Sequence, residues 1–197
     1  MARPKSYDRD DALRRACEVF WSRGFSASGV RALEDQTGLN QFAIQTEFGG
    51  KEGLYIEAIR LYAAAATKHA LAPMKVGGIA SISTFFRSLV TDKSPTSSRW
   101  GCLIVNAGIE NAKIGSARID AECRAYWHTV RQHFDAAIRR SIEAGEVTPG
   151  IDATQCSKAL AIAVMGIHTM NRVEGSNKAG KPLVEMIQRQ FQDWSSR

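Results

Sequence analysis

Apolar residues recur at intervals of three and four along nearly the whole chain, and no segment sustains the two-residue alternation of a half-buried strand. Residues 10–23 carry Leu13, Ala16, Cys17, Phe20 and Trp21 on one broad face, and Gly24 follows where a helix C-terminus places a left-handed residue. Ser28 is positioned to cap the next helix. Val30, Leu33 and Thr37 then form one face of a short helix, Gly38 marks a turn, and that turn and a second short helix over residues 40–48 offer Leu39, Ala43, Ile44 and Phe48 as the facing surface. After Gly49-Gly50, a long pattern through Leu54, Tyr55, Ala58, Ile59 and Tyr62 predicts a helix to about Pro73.

Further helices are predicted to the end of the chain. One follows Gly77-Gly78 with Ile82, Phe85, Phe86 and Leu89, a polar stretch over residues 91–99 with Pro95 reads as a loop, and a short apolar helix spans 101–111. A long one over 117–144 turns Ile119, Tyr126, Val130, Phe134, Ile138 and Ile142 inward. Asp152 caps a helix to about Val173, and a last helix after Pro182 carries Leu183, Met186, Ile187, Gln190 and Trp194. The fold class is all-α, with no internal repeat.

The two short helices between Gly29 and Gly53 are the most telling elements. Alone they would be unstable, because helix nucleation is costly and they bury little surface. They make sense as a helix-turn-helix, which holds the outer side chains of its second helix toward a DNA groove. The residues around this unit resemble the N-terminal domain of the TetR family of bacterial transcriptional repressors. The likeness rests on Trp21, Arg23, Gly24 and Phe25 ending the first helix, Gly38-Leu39-Asn40 at the turn, Phe48 ending the recognition helix and Gly50-Lys51-Glu52 opening the fourth. The string GCLIVNAGIE from Gly101 is similar to a segment common in one branch of that family. The resemblance implies a helix-turn-helix domain over residues 1–50, joined by the long helix to a ligand-binding and dimerisation domain over 51–197. Its last two helices would pair with a second copy, and the domain would bind a small molecule.

Charge refines this picture. The net charge of +6 lies wholly outside the first 60 residues, where nine Lys/Arg balance nine Asp/Glu. What matters for DNA is therefore the distribution of charge. Arg3 and Lys5 sit in an N-terminal arm that can follow the minor groove or simply fray. Ser28, Arg31 and Lys51 lie near helix starts, where phosphate contacts are favoured. On the recognition helix, Asn40, Gln41, Gln45 and Thr46 can hydrogen-bond base edges or remain solvated, and Phe42 can touch a thymine methyl or pack inward. The recognition helix departs from the common family pattern. Gln45 and Glu47 stand where many members carry Tyr and His, and residues 40–48 hold no basic side chain. Glu47 would accept from a cytosine amino group or face away.

Polar and aromatic residues on the later apolar helices are candidates for an effector pocket: Phe86, Cys102, Asn106, Tyr126, Trp127, His133, Met165 and His168. For each, ordinary core is the stronger reading, since a His or Cys on an apolar face is more often a satisfied core residue than a ligand contact. The four cysteines, Cys17, Cys102, Cys123 and Cys156, lack CxxC spacing and suit reduced thiols in a cytoplasmic protein. No apolar run approaches the length of a membrane span, and the N-terminus has no signal-peptide pattern. No nucleotide-binding loop, nucleophile elbow or zinc-ligand spacing is present, so neither an enzyme nor a metal or other cofactor is expected. The sequence thus reads as a homodimeric repressor that binds a palindromic double-stranded DNA operator and is released by a small molecule. A helical ligand-binding or interaction protein whose DNA-binding domain has lapsed is the alternative.

Overall fold

The computed structural model describes residues 7–91 and 97–195; Arg3, Lys5 and Pro95 lie outside them. Among the described residues there are nine α-helices and no strand. The first helix, α1 (Arg9–Arg23), begins at Asp8, whose carboxylate accepts the N–H of Asp11, and carries Asp10 and Asp11 in its first turn. Both features favour the positive end of the helix dipole. It ends at Gly24 with φ 83°, a conformation other residues rarely adopt.

Two short helices follow, α2 (Val30–Thr37) and α3 (Gln41–Phe48). The predicted cap of α2 is corrected by one residue: Gly29 is the N-cap and makes no side-chain cap bond. Ser28 is wholly buried, and its hydroxyl donates to the Gly24 carbonyl at 2.6 Å. That burial leaves its side chain nothing exposed to offer DNA. The turn between α2 and α3 works as the pattern predicted, with Gly38 left-handed at φ 74° and the Asn40 side chain accepting the Ala43 N–H at 2.8 Å.

Next comes α4 (Lys51–Ala66), which passes without a break into a π-turn (Thr67–Leu71) and a tight 3₁₀ turn (Ala72–Lys75) that accommodates Pro73. Its Leu54, Tyr55, Ile56, Ala58 and Ile59 are buried almost all round, because this stretch packs on α1 and α3 and also on later helices. Gly53 is what lets α3 and α4 meet. A Cβ there would lie 1.6 Å from the Phe48 carbonyl oxygen.

The remaining helices are α5 (Ile79–Ser88), α6 (Leu103–Ile114), α7 (Ala117–Glu143), α8 (Ala153–Val173) and α9 (Lys181–Ser195). Ser116 and Asp152 cap α7 and α8 through their side chains. The longest pairing is α7 against α8, with α6 across them and α9 between α5 and α8. One inward residue needs correction: Ile142 at the end of α7 is 36% exposed, its apolar character having been read as burial on the outer side of the helix. In α9 the buried stripe is Val184, Ile187 and Phe191, and Met186 is exposed. One hydrophobic core runs without interruption from Ala12 in α1 to Phe191 in α9.

Candidate nucleic-acid interface

The exposed side of α3 presents Gln41, Phe42, Gln45 and Thr46, while Ala43, Ile44 and Phe48 anchor its other side. Phe42 is 75% exposed, so the sequence's two options for it narrow to a ring held out in solvent. Such a ring suits contact with a methyl-bearing base edge. The Thr46 hydroxyl donates to its own helix at the Phe42 carbonyl, 2.9 Å away. Asn40 keeps its amide N–H₂ for outside partners, its oxygen being engaged as the cap.

Glu47 faces away from this surface. The Tyr7 hydroxyl donates to its carboxylate, and Arg9 Nε lies 3.9 Å from the second oxygen. That bond is the main reason the Tyr7 hydroxyl is pushed up to about 12. Arg9 also donates to Glu57 at 2.7 Å and stacks over the Phe48 ring. Thus an acidic residue on the recognition helix is internal bracing, fixing α3 against α1 and α4. Of the predicted phosphate contacts, Arg31 is exposed on α2. Lys51 is half-buried, its ammonium 4.2 Å from the centre of the Phe25 ring, and burial lowers its pKa.

Three joints that sequence reading missed tie the first three helices to the rest. Glu110 on α6 accepts the backbone N–H groups of Phe25 at 2.8 Å and Ser26 at 3.3 Å, just past the end of α1. The Trp21 indole donates to the Gly101 carbonyl at 2.9 Å. Arg172, in the last turn of α8, donates from one nitrogen to the carbonyls of Trp21 and Trp100, each at 3.1 Å. The partners stand 85, 80 and 151 residues apart in sequence, so no local pattern announces them.

The candidate effector residues do not converge on one cavity. Phe86 is core, stacked on Phe134 with centroids 5.9 Å apart. Asn106 is buried and donates to the Trp100 carbonyl, and His133 bonds within its own helix to the Thr129 carbonyl. His168 is buried with no partner at Nδ1 among the described residues, and burial lowers its pKa to about 4. Cys102 is also buried, which raises its thiol pKa as it does those of the other three cysteines. Trp127 and Met165 line one groove of ≈ 660 Å³ between α6, α7 and α8, whereas Tyr126 lines another of ≈ 550 Å³ between α4 and α7. Among the described residues no group of His, Cys, Asp and Glu could hold a metal ion, and no helix is long and apolar enough to cross a membrane.

Comparison with known proteins fits this geometry. A family model described as "Bacterial regulatory proteins, tetR family" matches residues 12–58, and one described as "Tetracyclin repressor-like, C-terminal domain" matches residues 78–194. The chain belongs to the TetR family. The transcriptional repressor ComR of Escherichia coli is 38% identical over 60 residues, which is 30% of this chain and 29% of that protein's length. Among solved structures, a TetR-family regulator from Cytophaga hutchinsonii matches with TM-score 0.81 at 18% identity, over 96% of this chain and 95% of that one. A cysteine mutant of the TetR-family regulator CifR, solved with a 26-base-pair operator, matches with TM-score 0.78 at 23% identity, over 98% and 100% of the two chains. At these identities the structural likeness concerns the fold.

Proposed function

We propose that this TetR-family protein is a transcriptional repressor, binding a palindromic operator as a homodimer through α3 and released by a small molecule. The observation that carries this reading is the outer face of α3. Its Gln41, Phe42 and Gln45 project from a helix braced on its other side by Tyr7, Arg9 and Phe48. A rigid short helix with free amides and an exposed ring is suited to reading a major groove. The repressor ComR and the operator complex of CifR support the same reading for this chain. In this reading residues 1–50 form the DNA-binding domain and 51–197 the domain for effector and partner. Arg31, and Arg3 and Lys5 of the N-terminal arm, supply phosphate contacts.

For the dimer, the outer faces of α8 and α9 are apolar where no other helix covers them: Ile162 is 67% exposed, Val173 73% and Met186 55%. A self-complementary patch of this kind fits a twofold interface. Replacing Ile162 by Asp is expected to give monomers by light scattering.

Selection from random duplex DNA with the purified protein, followed by binding at two salt concentrations, tests the function. A palindrome whose affinity falls steeply with salt is the expected result. Absence of any enriched sequence would sink the DNA-binding reading and leave a ligand-binding protein whose first domain has lapsed.

A further inference from the structure

The groove between α6, α7 and α8 has an apolar floor of Ile104, Val105, Cys123, Trp127 and Met165. Its polar wall comes from one stripe of α7, where Asp120, Arg124, His128 and Arg131 follow at helical spacing. Asp120 is already answered by Arg124, whose Nε lies 2.6 Å from its carboxylate. Arg131 is half-buried at the groove, and among the described residues neither it nor His128 has a carboxylate partner. The wall is thus basic beside an aromatic and aliphatic floor. Gly108 keeps the α6 side open, since a Cβ there would meet no atom within 4 Å.

We propose that this groove binds a small amphipathic anion, with a hydrocarbon or aromatic body on the floor and one carboxylate or sulfonate at Arg131. The proposal rests on the effector-responsive reading above and names the site and ligand class. A guanidinium offers an anion two parallel hydrogen bonds, and next to apolar surface these are less screened than in water. The groove also lies where occupancy matters. Gly108 and Ile109 form its α6 wall, and the next residue, Glu110, holds the Phe25 and Ser26 N–H groups at the end of α1. A ligand that wedges against this turn of α6 moves the carboxylate that positions the DNA-binding helices.

The test uses the full-length protein and anilinonaphthalene sulfonate as a fluorescent probe, displaced by decanoate or by decanol. Decanoate is expected to displace it at about tenfold lower concentration than decanol, a difference of one charge-assisted contact. Arg131→Gln should remove that preference with unchanged circular dichroism. Gly108→Phe should abolish probe binding, with Gly108→Ala as the folded control. Equal displacement by acid and alcohol, or a preference that survives in Arg131→Gln, overturns the ligand class. Full binding to Gly108→Phe overturns the site, as does a dimer split by that substitution, which would make the groove an interface between copies. Operator binding, read separately, keeps the two ideas apart. If a different compound releases DNA from Gly108→Phe as well as from the parent, the regulator stands and the groove falls. If the probe behaves as expected but no operator is found, the site stands without the regulator.

Discussion

The carboxylate of Glu110 accepts the Phe25 backbone N–H at 2.8 Å, joining α6 to the end of α1 across 85 residues of sequence. Its other oxygen takes the Ser26 N–H, and Gly24 leaves the space it occupies, since a Cβ there would lie 2.7 Å from that carboxylate. Two backbone donors in a tight turn are thereby satisfied by a charge, the stronger class of hydrogen bond. Glu110→Ala is expected to cost about 1–3 kcal/mol in urea denaturation. It should also weaken operator binding while leaving the sequence preference unchanged, because α3 itself is untouched. A variant as stable as the parent would show that the contact is incidental.

Gly53 allows a close approach between successive helices. With its absent Cβ only 1.6 Å from the Phe48 oxygen, Gly53→Ala must push α3 off α4. The expected loss is about 3 kcal/mol or more, since the obstacle is backbone and cannot rotate away. Gly108→Ala, with nothing near it, should be neutral or slightly stabilising, and thermal melts of the two side by side check the contrast.

His168 gives the protein a sensitivity to mild acid. Its pKa falls from 6.5 to about 4 because burial disfavours the charged ring. The unfolded chain therefore takes up a proton below 6.5 that the folded chain refuses until about 4, so stability declines as pH drops through that window. The slope is at most about 1.4 kcal/mol per pH unit, roughly 3 kcal/mol in all. Above pH 6.5 this contribution is complete. His168→Asn should flatten the curve, measured as urea midpoints between pH 7 and 4.

Phe42 and Gln45 are exposed on the operator-facing side of α3 in the proposed function. Phe42→Ala is expected to change stability by less than about 0.5 kcal/mol, as for other surface positions, yet to lower operator affinity several-fold. Gln45→Ala should relax preference at one base pair, by about 1–3 kcal/mol of discrimination. Selection from random DNA with each variant reads both effects. An unaltered logo for Gln45→Ala would remove it from the reading set.

How far these features were legible depended on the range of the interaction. Helix boundaries followed from local signals. Gly38 and Asn40 delimit the turn before α3, and Asp152 caps α8, because capping involves residues within one turn of each other. Ser28 misled by a single position, since Ser suits a cap and Gly29 does not advertise itself, while tertiary burial gave Ser28 a different partner. Glu47 stood between a cytosine contact and an inward position until Tyr7 and Arg9, some 40 residues earlier, were seen to hold it. Glu110, Arg131 and Arg172 are charged helix residues that no local pattern sets apart from solvated ones. Only the folded chain gives two of them backbone partners and places the third at the edge of an apolar groove. Conversely Phe86, Asn106 and His168 were offered for a ligand and are taken up by the core, because polarity or size alone does not say which side of a helix faces a void.

Arg172 has a consequence for measuring distance along DNA. It belongs to α8, whose exposed apolar side is the proposed seat of the second copy, and from there it grips the carbonyl at Trp21 near the end of α1. One helix would then both cross the twofold axis and hold its own reading unit, like a caliper whose jaws are cut from the same bar as its pivot. The gap between the two jaws then depends on the crossing angle of α8 with its symmetry mate. An operator lengthened by one base pair, about 3.4 Å and a tenth of a turn, would leave one jaw off its half-site, so spacing as well as sequence becomes part of the address.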